Sequence, residues 1–119
     1  MTIPDPRHLA QRMHEAFNTR DIAAADEIFA PGFYSHPLRG GVEAVKAAWT
    51  AMLTACPTAR TVVEDVLVDG DRVALRSTVY GLPAGGADAA AGTMLEIFRV
   101  AEGRITELWG SSTVSQLPR

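Results

Sequence analysis

Gly92-Thr93-Met94-Leu95-Glu96-Ile97-Phe98-Arg99-Val100 leads through Ala101-Glu102-Gly103-Arg104 into Ile105-Thr106-Glu107-Leu108-Trp109. Two runs of alternating apolar and polar residues, joined by a glycine-containing turn, predict a β-hairpin. Glu96 stands in the middle of the first run, beside Leu95, Ile97 and Phe98. A carboxylate there either faces water or is buried at a cost that needs a partner. By the two-residue period, Met94, Glu96 and Phe98 share one face, and Leu95, Ile97 and Arg99 the other. The expectation is that the first set faces inward.

Upstream, the same reasoning gives a second hairpin. Thr61 to Val68 reads as a strand with Val62, Val66 and Val68 on one face, Asp69-Gly70-Asp71 as a tight turn, and Val73 to Tyr80 as the returning strand. Leu82 to Ala91, with Pro83, Gly85 and Gly86, reads as a flexible connection, and Ser111 to Arg119 as a polar tail. The first half of the chain has a helical period instead. Asp5-Pro6 caps a helix carrying Leu9, Met13, Ala16 and Phe17 and ending near Asn18-Thr19-Arg20. Asp21 begins a shorter one with Ile22, Ala25, Ile28 and Phe29, stopped by Pro31-Gly32. Phe33-Tyr34-Ser35-His36 is extended and is broken by Pro37. Val42, Val45, Trp49, Met52, Leu53 and Cys56 form the third helix, halted by Pro57. Helices followed by antiparallel strands predict an α+β fold in which three N-terminal helices pack on one face of a curved antiparallel sheet.

The chain of 119 residues is read as one domain, 1–119, of ordinary globular composition, 47% hydrophobic and 21% charged. A formal charge of −3 argues against nucleic acid or an anionic membrane as the main partner. Cys56 is the only cysteine, so no intrachain disulfide forms, and no apolar run reaches bilayer length. A cytoplasmic protein without a membrane span is expected. One cysteine and three scattered histidines make no metal-ligand pattern, and no cofactor motif is present.

Three features carry a resemblance. Asn18-x-x-Asp21 leads into Ile28-Phe29-Ala30-Pro31, Asp69-Gly70-Asp71-Arg72-Val73-Ala74 joins two strands, and Gly103-Arg104-Ile105-Thr106-Glu107-Leu108-Trp109 is followed by Gln116-Leu117. Taken in order, they make the chain similar to SnoaL-like proteins of the nuclear-transport-factor-2-like superfamily, which includes polyketide cyclases, ketosteroid isomerase and limonene-epoxide hydrolase. The resemblance implies a conical α+β barrel, commonly dimerised through the outer sheet face. It also implies where to look for chemistry. The cyclases carry an aspartate shortly after the last-strand tryptophan; here Gly110, Ser111 and Ser112 follow Trp109. The hydrolase pairs an arginine with acids; Arg76 is kept, but Thr78 and Ser111 replace the acids. The isomerase positions map onto His36, Met13 and Glu96, the phenol being lost at Met13.

His36 and Glu96 are therefore the candidate catalytic residues. His36, a residue type that titrates near neutrality, is the expected general base, and Glu96 the expected acid or hydrogen-bond donor to a developing enolate. His8 and His14 fall on a helix and read as structural or solvent-facing. Met13, Phe17, Tyr34, Trp49, Met52, Met94, Phe98 and Trp109 are the candidate wall of an apolar pocket, and Arg76 the candidate polar partner of Glu96 or of a ligand anion. The expected activity is proton transfer, of isomerase or cyclase type, on an apolar carbonyl or polyketide-like compound. The alternative is a non-catalytic binding or dimerisation module, favoured by the acid missing after Trp109. Leu95 and Ile97 on the outer face predict a homodimer.

Overall fold

The computed structural model describes residues 5–82 and 88–114. Helix α1 (Pro6–Asn18) starts where the sequence places it: the Asp5 side chain accepts from the Arg7 N–H, with proline at the first helical position. A 3-10 turn (Ile22–Ala24) runs into the four-residue helix α2 (Ala25–Ile28). The Asp21 side chain makes no cap. Strand β1 (Phe29–Ser35) follows without a break, so Pro31-Gly32 lies inside a strand and not at its start. It is tolerated because β1 is the sheet edge and its pairing is interrupted between Phe29 and Tyr34. Helix α3 (Val42–Ala55) then precedes β2 (Arg60–Asp69), β3 (Arg72–Tyr80), β4 (Ala90–Ala101) and β5 (Arg104–Ser112). Pro83, Gly85, Gly86, Gln116 and Leu117 lie outside the described residues.

The five strands are ordered β1-β5-β4-β3-β2. β2 to β5 form an antiparallel meander, while β1 joins β5 in parallel, so the sheet is mixed and open, not a closed antiparallel barrel. The β4–β5 turn has Glu102 and Gly103 both at positive φ, 52° and 78°, the turn whose twist suits a two-residue hairpin. The helices cover one face. Leu9 and Met13 of α1, Ile28, Phe29, Phe33 and Val45 meet Val73, Leu75, Phe98, Ile105 and Leu108 from the sheet in one core.

On β4 the inward set is Met94, Glu96 and Phe98, with Leu95 and Ile97 exposed. On β2 the sequence pattern misleads. A bulge between Val63 and Asp65 resets the alternation, so Thr61, Val63 and Val66 turn inward and Val62 and Val68 are exposed.

Candidate functional site

A cavity of about 340 Å³ opens between the helices and the concave sheet face. Its wall is mostly apolar: Met13 and Phe17 from α1, Phe29 and Phe33 from β1, Val45, Trp49 and Met52 from α3, and Val79, Met94 and Leu108 from the sheet. Phe17 and Phe29 each lie 6.1 Å from the Trp49 ring, which braces α3 against the other two elements. No lysine or arginine among the described residues lines it. The single lysine, Lys46, is tied to Asp26, and that hydrogen bond raises its pKa above the ordinary lysine value.

Into this apolar wall project two ionisable side chains that touch each other. His14 Nε2 lies 2.9 Å from Glu96 Oε1, and the residues are 6% and 9% exposed. His14 Nδ1 lies 2.7 Å from Thr61 Oγ1. Asn18 clamps Thr61 from both sides: its Oδ1 accepts the Thr61 N–H at 2.8 Å and its Nδ2 donates to the Thr61 carbonyl at 2.7 Å. The last turn of α1 thus fixes the start of β2, which fixes the hydroxyl against the ring.

Two proton arrangements satisfy this chain. In one, the Thr61 hydroxyl donates to Nδ1 and the Nε2–H donates to the Glu96 carboxylate. In the other, Nδ1–H donates to Thr61 and protonated Glu96 donates to Nε2. The first carries one negative charge and the second none, and they differ by one proton. Moving the acid proton of the second onto Nε2 gives an imidazolium–carboxylate pair of the same net charge. Glu96 Oε2 has no hydrogen-bond partner among the described residues and belongs to a side chain lining the cavity.

Of the residues expected from sequence, Glu96, Met13, Phe17, Trp49, Met52 and Met94 line the cavity. Five do not. His36 follows the end of β1; its backbone N–H bonds the Leu108 carbonyl, and its ring lies outside the cavity, stacked on Trp109 at 5.0 Å with Nε2 2.7 Å from Glu107 Oε2. Tyr34 and Trp109 follow the same alternation outward, because Phe33 and Ser35 on β1 and Leu108 on β5 take the inner positions. Arg76 is outward too, between inward Leu75 and Ser77, and pairs with Asp65 at 2.7 Å, not with Glu96. Phe98 points inward but is sealed in the core beneath the cavity lining.

His14 is the residue the helical reading passed over. It stands four residues after Ala10 and three before Phe17, on the edge of the apolar stripe of α1. A titratable ring there needs a polar partner, and Glu96 was the one inward carboxylate in search of one. Pairing those two unmatched groups was the available signal.

The family model for SnoaL-like domains matches residues 10–108. No curated protein sequence matches the chain. Among solved structures, wild-type IdmH from Streptomyces antibioticus, provisionally assigned as a polyketide cyclase, is 25% identical with a TM-score of 0.82 over 96% of each chain. A Bacillus cereus protein with the same provisional assignment is 25% identical, TM-score 0.81, over 92% of this chain and 77% of that one. A SnoaL-like polyketide cyclase from Agrobacterium tumefaciens has the same fold at 12% identity, TM-score 0.78, over 92% and 91%. The shared architecture is that of a small-molecule-binding domain. The chain belongs to the SnoaL-like family.

Proposed function

We propose that the protein catalyses proton transfer at the carbon next to a carbonyl group of an apolar, polyketide-like compound, in an isomerase- or cyclase-type reaction. The observation that carries this reading is the buried His14–Glu96 pair in a mostly apolar cavity. Glu96 Oε2 takes the proton, the C–H bond electrons form the enolate double bond, and the carbonyl π pair moves onto oxygen. His14 holds the carboxylate by donating its Nε2–H to Oε1. His36 has no part in this chemistry because its ring lies outside the cavity. The provisional cyclase assignments of the similar structures agree with the reading.

A substrate-independent test uses 2-acetylnaphthalene in D2O, with exchange of its methyl hydrogens followed by NMR. Glu96→Gln is expected to slow enzyme-dependent exchange by about a hundredfold or more, the usual span for losing a general base, with affinity little changed. Equal exchange in both proteins would remove Glu96 from the mechanism. Binding without any exchange by the wild type would favour the second reading, a non-catalytic apolar-ligand module. That reading is supported by Ser111 and Ser112 where the cyclases carry an acid.

We propose also that the outer sheet face pairs with a second copy of the chain. Leu95 and Ile97, 53% and 46% exposed, stand there beside outward arginines and acids that could complement each other across a two-fold axis. Light scattering should give twice the chain mass, and Leu95→Glu with Ile97→Glu a single chain. A wild-type monomer at high micromolar concentration would count against it.

A further inference from the structure

We propose that Ser35 is the carbonyl anchor of the cavity, donating its hydroxyl hydrogen to a neutral acceptor oxygen of the ligand. This rests on the proton-transfer reading and supplies the oxygen-binding group that reading lacks. Ser35 ends β1, is 1% exposed, and lines the cavity. Its backbone is locked: the N–H donates to the Gly40 carbonyl at 2.8 Å, and its carbonyl accepts from the Gly40 N–H at 3.3 Å. Its Oγ accepts the Leu38 N–H at 3.2 Å. That bond occupies a lone pair and leaves the hydroxyl hydrogen with no acceptor among the described residues. A buried hydroxyl in that state is one donor short of satisfaction.

The other hydroxyls are less suited. Thr61 is engaged with His14. Ser111 and Ser112 are exposed, and Ser112 Oγ accepts from the Val114 N–H. Ser77 Oγ is buried without a partner, but Ser77 does not line the cavity.

The sheet register sets Ser35 two strands across from Phe98, one inward position along β4 from Glu96. Ser35 neighbours Leu108 on β5, Leu108 faces Phe98 on β4, and Glu96 is the next inward residue, facing Gly110. Two strand spacings separate them laterally, about 9–10 Å, and two residues along the strand, about 7 Å, so their Cα atoms are about 12 Å apart. The inward position between them is Gly110. A Cβ there would lie 3.6 Å from Glu96 Cγ and 3.8 Å from Pro37 Cγ, so its absence leaves the floor between carboxylate and turn open. The Glu96 Cγ lies beside the open Gly110 position, so its side chain can reach toward Ser35. A hydrogen bond of about 2.8 Å to the carbonyl oxygen, the carbonyl unit, and an approach of about 3–3.5 Å to the base bridge what remains. As the proton leaves, charge gathers on the oxygen and the Ser35 hydrogen bond strengthens. With no lysine or arginine among the described lining residues, the ligand class is a neutral ketone or ester, not a free acid.

The test is a binding cycle with 2-acetylnaphthalene and 2-isopropenylnaphthalene, in which CH2 replaces the carbonyl oxygen. The Met13, Met52 and Met94 methyl NMR signals report occupancy of the cavity itself. Wild type is expected to prefer the ketone about fivefold, the usual net effect of one neutral hydrogen bond. Ser35→Ala should abolish that preference and leave the hydrocarbon affinity unchanged. If hydrocarbon binding also moves, Ser35→Cys, which keeps the side-chain shape with a weak donor, should lower the preference on its own. An unaltered ketone preference in both variants overturns the assignment of Ser35 while leaving the proton-transfer reading in place. Failure of both compounds to shift the three methyls overturns the two together.

Discussion

Two histidines of this protein each contact a glutamate on the sheet, at nearly the same distance, on opposite faces. His14 meets Glu96 at 2.9 Å with side chains 7% and 10% exposed; His36 meets Glu107 at 2.7 Å with side chains 42% and 26% exposed. Distance does not separate them, and the surroundings do. The inner pair is held by Thr61 and Asn18 and faces apolar side chains. The outer pair is one contact in an open network, with Arg99 3.4 Å from Glu107 and Arg72 above the Trp109 ring. Water can replace any partner there. The same two functional groups are a candidate proton-transfer device on one face and an exposed hydrogen-bonded contact on the other.

The comparison breaks most sharply in turnover. Glu107→Gln should leave methyl exchange of 2-acetylnaphthalene at the wild-type rate, against the hundredfold loss for Glu96→Gln. A comparable loss in both would erase the distinction between the faces. Stability comes next. In urea unfolding, His14→Ala should cost about 2–3 kcal/mol, since it leaves Glu96 and Thr61 buried without their partner. His36→Ala should cost at most about 1 kcal/mol, as for other exposed ion pairs. Similar losses would mean the inner pair is wetter than its burial indicates. The smallest effect is salt. Raising ionic strength to about 1 M should shrink the His36→Ala cost and leave that of His14→Ala nearly unchanged. An equal salt response for both variants would contradict the buried placement of His14.

How far the sequence could be read follows from the same contrast. Strict alternation on β4 placed Glu96 inward, and helical spacing on α1 and α3 placed Met13, Phe17, Trp49 and Met52 on the cavity side. Both are local periodicities, which a single chain displays openly. What stayed hidden depended on registers set by other strands. The bulge near Glu64 exchanged Val62 for Thr61 on the inner face, and so put a hydroxyl where a valine was expected. Strand β1 entered two residues before Pro31, and its parity put Ser35 inward and Tyr34 outward. His36 lay just beyond the strand end, where alternation no longer decides direction. His14 was legible only as half of a pair whose other half is 82 residues away.

The parallel contact of β1 with β5 carries one more consequence, for how the molecule is assembled in time. Phe29 aligns with Ile105 and Ser35 with Leu108, so the edge strand laid down early waits for the strand made last. Such distant partners close a long loop, and contacts of that kind slow folding. Before β5 docks, β1 has no neighbour in the sheet, and Ser35 has not come into line with Glu96. The finished cavity therefore requires this long-range contact. A ligand that fits it favours the protein in which β1 and β5 are joined over any form in which they are apart.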